Sequence, residues 1–159
     1  VWSAYTRGRY RHAGIEEYRA IFGGRAIRLG AYGDPAFIPH AIVEELTRVA
    51  SFHTGYTHQW GTNRWLQPFV MASCDSQLDA IEAQAQGWRT FRVSRKGDAA
   101  RLEREISCPA SAESGKRTTC AQCGLCDGTR ASDGRANIVI QDHSVIARTQ
   151  PMALIQIGQ

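Results

Sequence analysis

Apolar and polar positions along the chain alternate in two periods, and the switch between them marks the elements. "GGRAIRLGAYGDPAF" reads as a turn, then a strand over residues 26–32. Gly33-Asp34-Pro35 stops it, because proline lacks an N–H donor and restricts the residue before it. Behind Pro39, Ile42, Val43, Leu46, Val49 and Ala50 recur at helical spacing, and a first turn tolerates that proline. "HTGYTHQW" predicts a second strand at 55–59. "FVMAS" predicts a third at 69–73, with the unbroken apolar run of a buried parallel strand. "DSQLDAIEAQAQGW" begins on a capping residue and ends at Gly87, which predicts a helix over 77–86. "RTFRVS" is a fourth strand, "GDAARLEREI" a short helix and "ANIVIQDH" a fifth strand.

Strands that alternate with helices imply βαβ units and a parallel sheet. The four strands up to Ser94 are expected to lie parallel and in sequence order, with helices on the outer face. The sheet is either open or part of a (βα) barrel. Polar residues gather at the carboxyl ends of these strands: Asp34; His58, Gln59 and Trp60; Ser73 and Asp75; Asp142 and His143. In parallel α/β folds that edge binds ligands, which favours a partial barrel, although loops at strand ends are polar in any case. The apolar tail from Val145 is not assigned to an element.

The 159 residues suffice for one domain with a real core, and 43% apolar and 21% charged residues are ordinary globular values. The net charge of +4 comes from scattered arginines and is a weak pointer to nucleic acid. No apolar run approaches the ~20 residues that span a bilayer, and the basic, aromatic start "VWSAYTRGRYR" is no signal peptide. A cytoplasmic setting is therefore expected, where cysteines are seldom disulfides. A first residue of Val is read as the start of a trimmed or truncated single domain.

Four of the five cysteines fall in "CPASAESGKRTTCAQCGLCDG", inside a polar insert over 107–135. Cys108, Cys120, Cys123 and Cys126 follow the spacing Cys-x11-Cys-x2-Cys-x2-Cys. Zinc sites take two Cys-x2-Cys pairs, or one pair with histidines, around one ion. A Cys-x2-Cys-x2-Cys run with a remote fourth cysteine, here followed by Pro109, is the ferredoxin arrangement for a [4Fe–4S] cluster. The spacing favours the cluster; zinc and free thiols stay as alternatives. With four protein ligands no iron is open, so such a cluster transfers electrons or holds structure. Because Leu125 is the one large apolar residue between Ser107 and Arg135, metal ligation is expected to order the window. Cys74, at the end of the third strand, is expected to be a buried thiol outside the ligand set.

Taken together, "VWSAYTRGRYR", "RLGAYGDPAFIP", "TGYTHQW", "MASCDS", "GWRTFRV" and the cysteine window resemble a family of uncharacterised phage and prophage iron–sulfur proteins over nearly the whole chain. Its members are similar to radical-SAM-like proteins with an incomplete (βα) barrel. A further cysteine-rich segment that usually precedes the position of Val1 is absent here. The resemblance implies a parallel-stranded partial barrel, Cys108, Cys120, Cys123 and Cys126 as cluster ligands, and a phage-infected or lysogenic host cytoplasm. It also implies Asp34, His58 and Trp60 as cofactor-site positions, with a small molecule or redox protein as partner. It supplies no reaction.

Two other functions compete. A zinc-stabilised nucleic-acid module would use Arg7, Arg9 and Arg11 with nearby aromatics, Trp60 and Trp65; the same aromatics suit a helix packed on the sheet, which is favoured. A hydrolase would use Asp34, His58 and Asp142 or His143, but no nucleophile elbow, phosphate loop or His-Glu-x-x-His run accompanies them.

Overall fold

The computed structural model describes residues 2–95, 97–98 and 101–142. Its centre is a six-stranded sheet of β1 (Ala26–Leu29), β2 (Phe52–Thr57), β3 (Met71–Cys74), β4 (Thr90–Ser94), β5 (Glu105–Ser107) and β6 (Asn137–Gln141). Its helices are α1 (Trp2–Thr6), α2 (Tyr18–Phe22), α3 (His40–Val49), α4 (Gln77–Ala85) and the single turn α5 (Cys120–Cys123). Every strand pair is parallel and the spatial order is β1-β2-β3-β4-β6-β5. The first four strands thus stand in sequence order, as the βα alternation predicts. The sheet is open, with β1 and β5 at its edges.

One expectation fails. "GDAARLEREI" contains no helix among its described residues; its end forms β5, which pairs with β6 through Glu105↔Asn137 and Ile106↔Ile138. Helix-forming composition is overridden because Glu105 is needed as an ion-pair partner inside the protein. Its carboxylate accepts from Arg92 Nε at 2.9 Å and from Arg92 Nη2 at 2.7 Å, with both side chains fully buried. His143 and the tail from Val145 lie outside the described residues.

Strand ends shift for local reasons. β1 stops at Leu29, three residues short of Tyr32, because the chain turns at Gly30 with φ +72°. A Cβ there would lie 2.6 Å from Pro35 Cδ, so only glycine allows this turn. β2 begins at Phe52, earlier than residue 55, since Phe52–Gly55 pairs along all of β1. β3 begins at Met71 because Phe69 and Val70 close a helical turn on Leu66, with N–H···O distances of 2.8 and 3.0 Å.

The two faces differ. On one, Val43 of α3 and Ala80 and Ala83 of α4 pack with Leu29, Ala72 and Cys74 of the strands and with Leu66, Val70 and Trp88. Burying Val43, Leu66 and Val70 completely contributes roughly 1.5–3 kcal/mol each relative to exposure. On the other, Met71 and Ile138 pack with Tyr56, Phe91 and Ile106, and the cover is the cysteine window: Cys108, Leu125 and Cys126. One face is thus roofed by helices and the other by the polar insert. The α1 helix has no buried residue, with Trp2 74% and Tyr5 58% exposed. The amino-terminal aromatics therefore do not pack on the sheet; Trp2 and Tyr5 stack on each other, centroids 5.6 Å apart. Among the described residues no helix is long and apolar enough to cross a membrane.

Candidate metal centre

Cys108 directly follows β5, and its N–H donates to Val139 O of β6 at 2.8 Å. The chain then makes a short turn over Pro109–Ser114, where the Ser111 hydroxyl donates to Cys108 O at 2.8 Å. It next enters α5, capped by a reciprocal box between Thr119 and Gln122. Gly124 ends that turn in the left-handed region, and Cys126 drops onto the sheet, its carbonyl accepting from Gly55 N–H of β2 at 3.0 Å.

This path brings all four cysteines to one apolar cavity. Cys108, Cys120, Cys123 and Cys126 line it together, over a floor of Thr54, Tyr56 and Ile138. The enclosed space is about 10 Å³, the room of roughly one water molecule. Among the described residues no three His, Cys, Asp or Glu side chains are gathered closely enough to hold a single metal ion. All five cysteines are free thiols; Cys120 is exposed, Cys108 and Cys123 half-buried and Cys126 buried. Desolvation pushes the Cys126 thiol up to about 11, against the opposing pull of a hydrogen bond from Tyr56. Desolvation also raises Cys108, while backbone N–H groups of Ala110 and Ser111 at its sulfur act in the opposite sense. Burial and the nearby Cys126 thiol hold the Tyr56 hydroxyl in its protonated form. Its ring packs on Phe91 with centroids 4.3 Å apart, and Arg28 stands over it at 5.5 Å. Cys74 is buried in the helix-side core, across the sheet from the other four.

The window is anchored by a residue the sequence does not single out. Arg89, immediately before β4 and only 4% exposed, donates from Nη1 to Leu125 O at 2.7 Å and Gly128 O at 3.0 Å, and from Nη2 to Ala136 O at 2.8 Å. Its own N–H donates to Thr129 Oγ1 at 2.8 Å. Behind it Arg135 bridges Asp127 and Asp133, so the loop after the cysteines closes on a network of charges. At Gly128 a Cβ would meet Pro68 backbone at 2.5 Å, which explains the tight approach of window to sheet. Arg89 is thus a second tie on this segment, beside the metal ligation expected to order it. An arginine inside an otherwise buried strand approach, "GWRTFRV", is the available signal, because buried arginines are paired.

Asp34, His58 and Trp60 stand at the carboxyl ends of β1 and β2 in three different roles. Asp34 is a brace: its carboxylate accepts from Ala36 N–H (2.9 Å), Thr57 Oγ1 (2.6 Å) and His58 N–H (2.8 Å). The exposed His58 imidazole lies 3.6 Å from Asp75, at the end of β3. Trp60 packs against the helix-side core, as does Trp65. The aromatics and arginines considered for nucleic acid are thus divided, with Arg7, Arg9 and Arg11 exposed at the amino-terminal end. No family model, curated protein or solved structure matches the chain.

Proposed function

We propose that this is an iron–sulfur protein that holds a [4Fe–4S] cluster on Cys108, Cys120, Cys123 and Cys126 and serves electron transfer. The observation that carries the reading is the meeting of these four thiols, from a long window, on one apolar cavity. The donor set suits the group, as does the triple-cysteine run. Zinc has no need for three thiolates within seven residues, and that triple run is what ranks the cluster above it. The Ala110 and Ser111 amides at Cys108 and the Tyr56 hydroxyl at Cys126 are the kind of donors that tune cluster sulfurs. The resemblance to phage iron–sulfur proteins points the same way. The cavity has the room of about one water molecule, so holding the cluster would require the exposed α5 turn to stand further from the sheet than it does here. When bound, a [4Fe–4S] group supplies one-electron chemistry, and four protein thiolates leave no iron open to substrate.

The test is metal analysis of protein kept anaerobic throughout. About four irons and four inorganic sulfides per chain are expected, lost in Cys120→Ser and Cys123→Ser and unchanged in Cys74→Ser, which lies on the far face. Stoichiometric zinc without iron overturns the reading.

Tyr56→Phe checks the donor to Cys126 separately. A hydrogen bond to a thiolate stabilises the more negative, reduced cluster, so its removal lowers the midpoint potential. One hydrogen bond of ~1 kcal/mol corresponds to a shift of about 40 mV for a one-electron couple. Iron content should stay at its wild-type value. A potential that does not move takes Tyr56 out of the cluster's environment.

A further inference from the structure

A second cavity, of about 280 Å³, opens where the chain enters β4, β5 and β6. It shares no lining residue with the cysteine cavity. Its wall carries Arg89, Arg104, Arg130 and Arg135 against one carboxylate, Asp133. Asp127, bonded to Arg130 at 2.5 Å and to Arg135, adds a second. Four guanidinium groups against two carboxylates leave two positive charges over within this set.

The spare charge has free donors. Arg135 is engaged through Nε, Nη1 and Nη2 alike, bonded to Asp127, Asp133 and Gly128 O. Arg104, by contrast, donates among the described residues only from Nη2, to the carbonyls of Asp133 (3.1 Å) and Arg135 (3.4 Å). The Arg130 guanidinium uses Nη2 alone among the described residues, and its side chain is 68% exposed. Arg89 Nε is buried with no hydrogen-bond partner among the described residues, and Asp133 Oδ2 stands 3.9 Å from it. Trp88 Nε1, on a residue of the same wall, is also buried and unpartnered. Buried donors of this kind normally find an acceptor.

The backbone converges on the same place. Among the described residues, the non-glycine positions with positive φ are Arg104 (+60°) and Ser132 (+53°), and both line this cavity. Such conformations cost free energy and gather where a ligand is clamped. Guanidinium forks match the oxygens of a phosphoryl group, and two surplus charges match its dianion.

We propose that this cavity binds the phosphoryl group of a small molecule. The volume exceeds that of bare phosphate and leaves room for a modest organic part.

The test is calorimetric titration of the full chain, with its metal content intact, at low ionic strength. The probes are inorganic phosphate and adenosine 5′-monophosphate. Saturable one-to-one binding is expected, weakened at least tenfold in Arg104→Gln and in Arg130→Gln and unchanged in Arg9→Gln on the exposed amino-terminal stretch. Arg104 and Arg130 are both exposed, so neither change removes a buried charge. Tighter binding of the nucleotide than of phosphate places its organic part in the cavity, and equal binding assigns recognition to the phosphoryl group alone; either result supports the site. Absence of saturable binding by both probes at millimolar concentration overturns it, as does binding that survives both substitutions.

Discussion

Arg89→Leu should lower stability by about 3–5 kcal/mol, the loss typical when one side of a buried charged network is removed. At 2–4 °C per kcal/mol for a chain of this size, the melting temperature should fall by roughly 6–20 °C. The leucine fills part of the space but gives nothing to Leu125 O, Gly128 O or Ala136 O, three carbonyls that now accept from one guanidinium. It also leaves Asp133 to the half-buried Arg135, and Asp127 to Arg135 and the exposed Arg130. Because the loop that carries Cys126 hangs on those carbonyls, iron content in anaerobic protein should fall with the melting point. Arg89→Lys, which keeps the charge without the fork, should lie between wild type and leucine. A leucine variant that melts within a degree of wild type rules out Arg89 as the anchor. The same network has a pH signature. Arg135 holds the Asp133 carboxyl far below its usual 3.8. Its contribution is therefore complete above that unfolded value and fades as pH falls toward the folded one.

Glu105→Gln should cost about as much, roughly 3–5 kcal/mol, for a different reason. The change is nearly isosteric, but it leaves the fully buried Arg92 cation facing a neutral amide. Asp98, at 3.9 Å from Nη1 and partly exposed, cannot replace a bidentate carboxylate. Denaturant melts should show the loss. The double variant Arg92→Met with Glu105→Leu should recover most of it, since removing both charges also removes their desolvation cost. Single and double variants that add with no coupling would show that the pair acts independently.

The parallel order of the first four strands was legible because each carries a distinct apolar run between turn residues, as in "FVMAS". The helices α3 and α4 showed their apolar spacing and their ends. β5 was not legible. Three residues, one of them an inward-facing glutamate, read as helix in "RLEREI" until Arg92 is seen in the same core. At the site, Cys120, Cys123 and Cys126 lie near one another because Cys-x2-Cys-x2-Cys is itself a local geometry, whereas it takes the β5–β6 pairing to bring Cys108 to the same cavity. Arg89 and Tyr56 were hidden for the opposite reason: they meet the window across 36 or more residues, and tertiary partners at that distance leave no periodic trace. Asp34 looked like a ligand-edge acid, yet three donors already occupy it.

The strand order has a kinetic cost. β6 lies between β4 and β5, although β5 leaves the ribosome first. From Glu105 until Asn137 is made, β5 has no strand to pair with, and β4 keeps an open edge. At 5–20 residues per second of synthesis, the intervening chain takes roughly 2–6 s. The cysteine window is therefore also a timer. Its length fixes how long two unpaired strand edges stay open to other chains, and shortening it would narrow the interval in which the nascent protein aggregates.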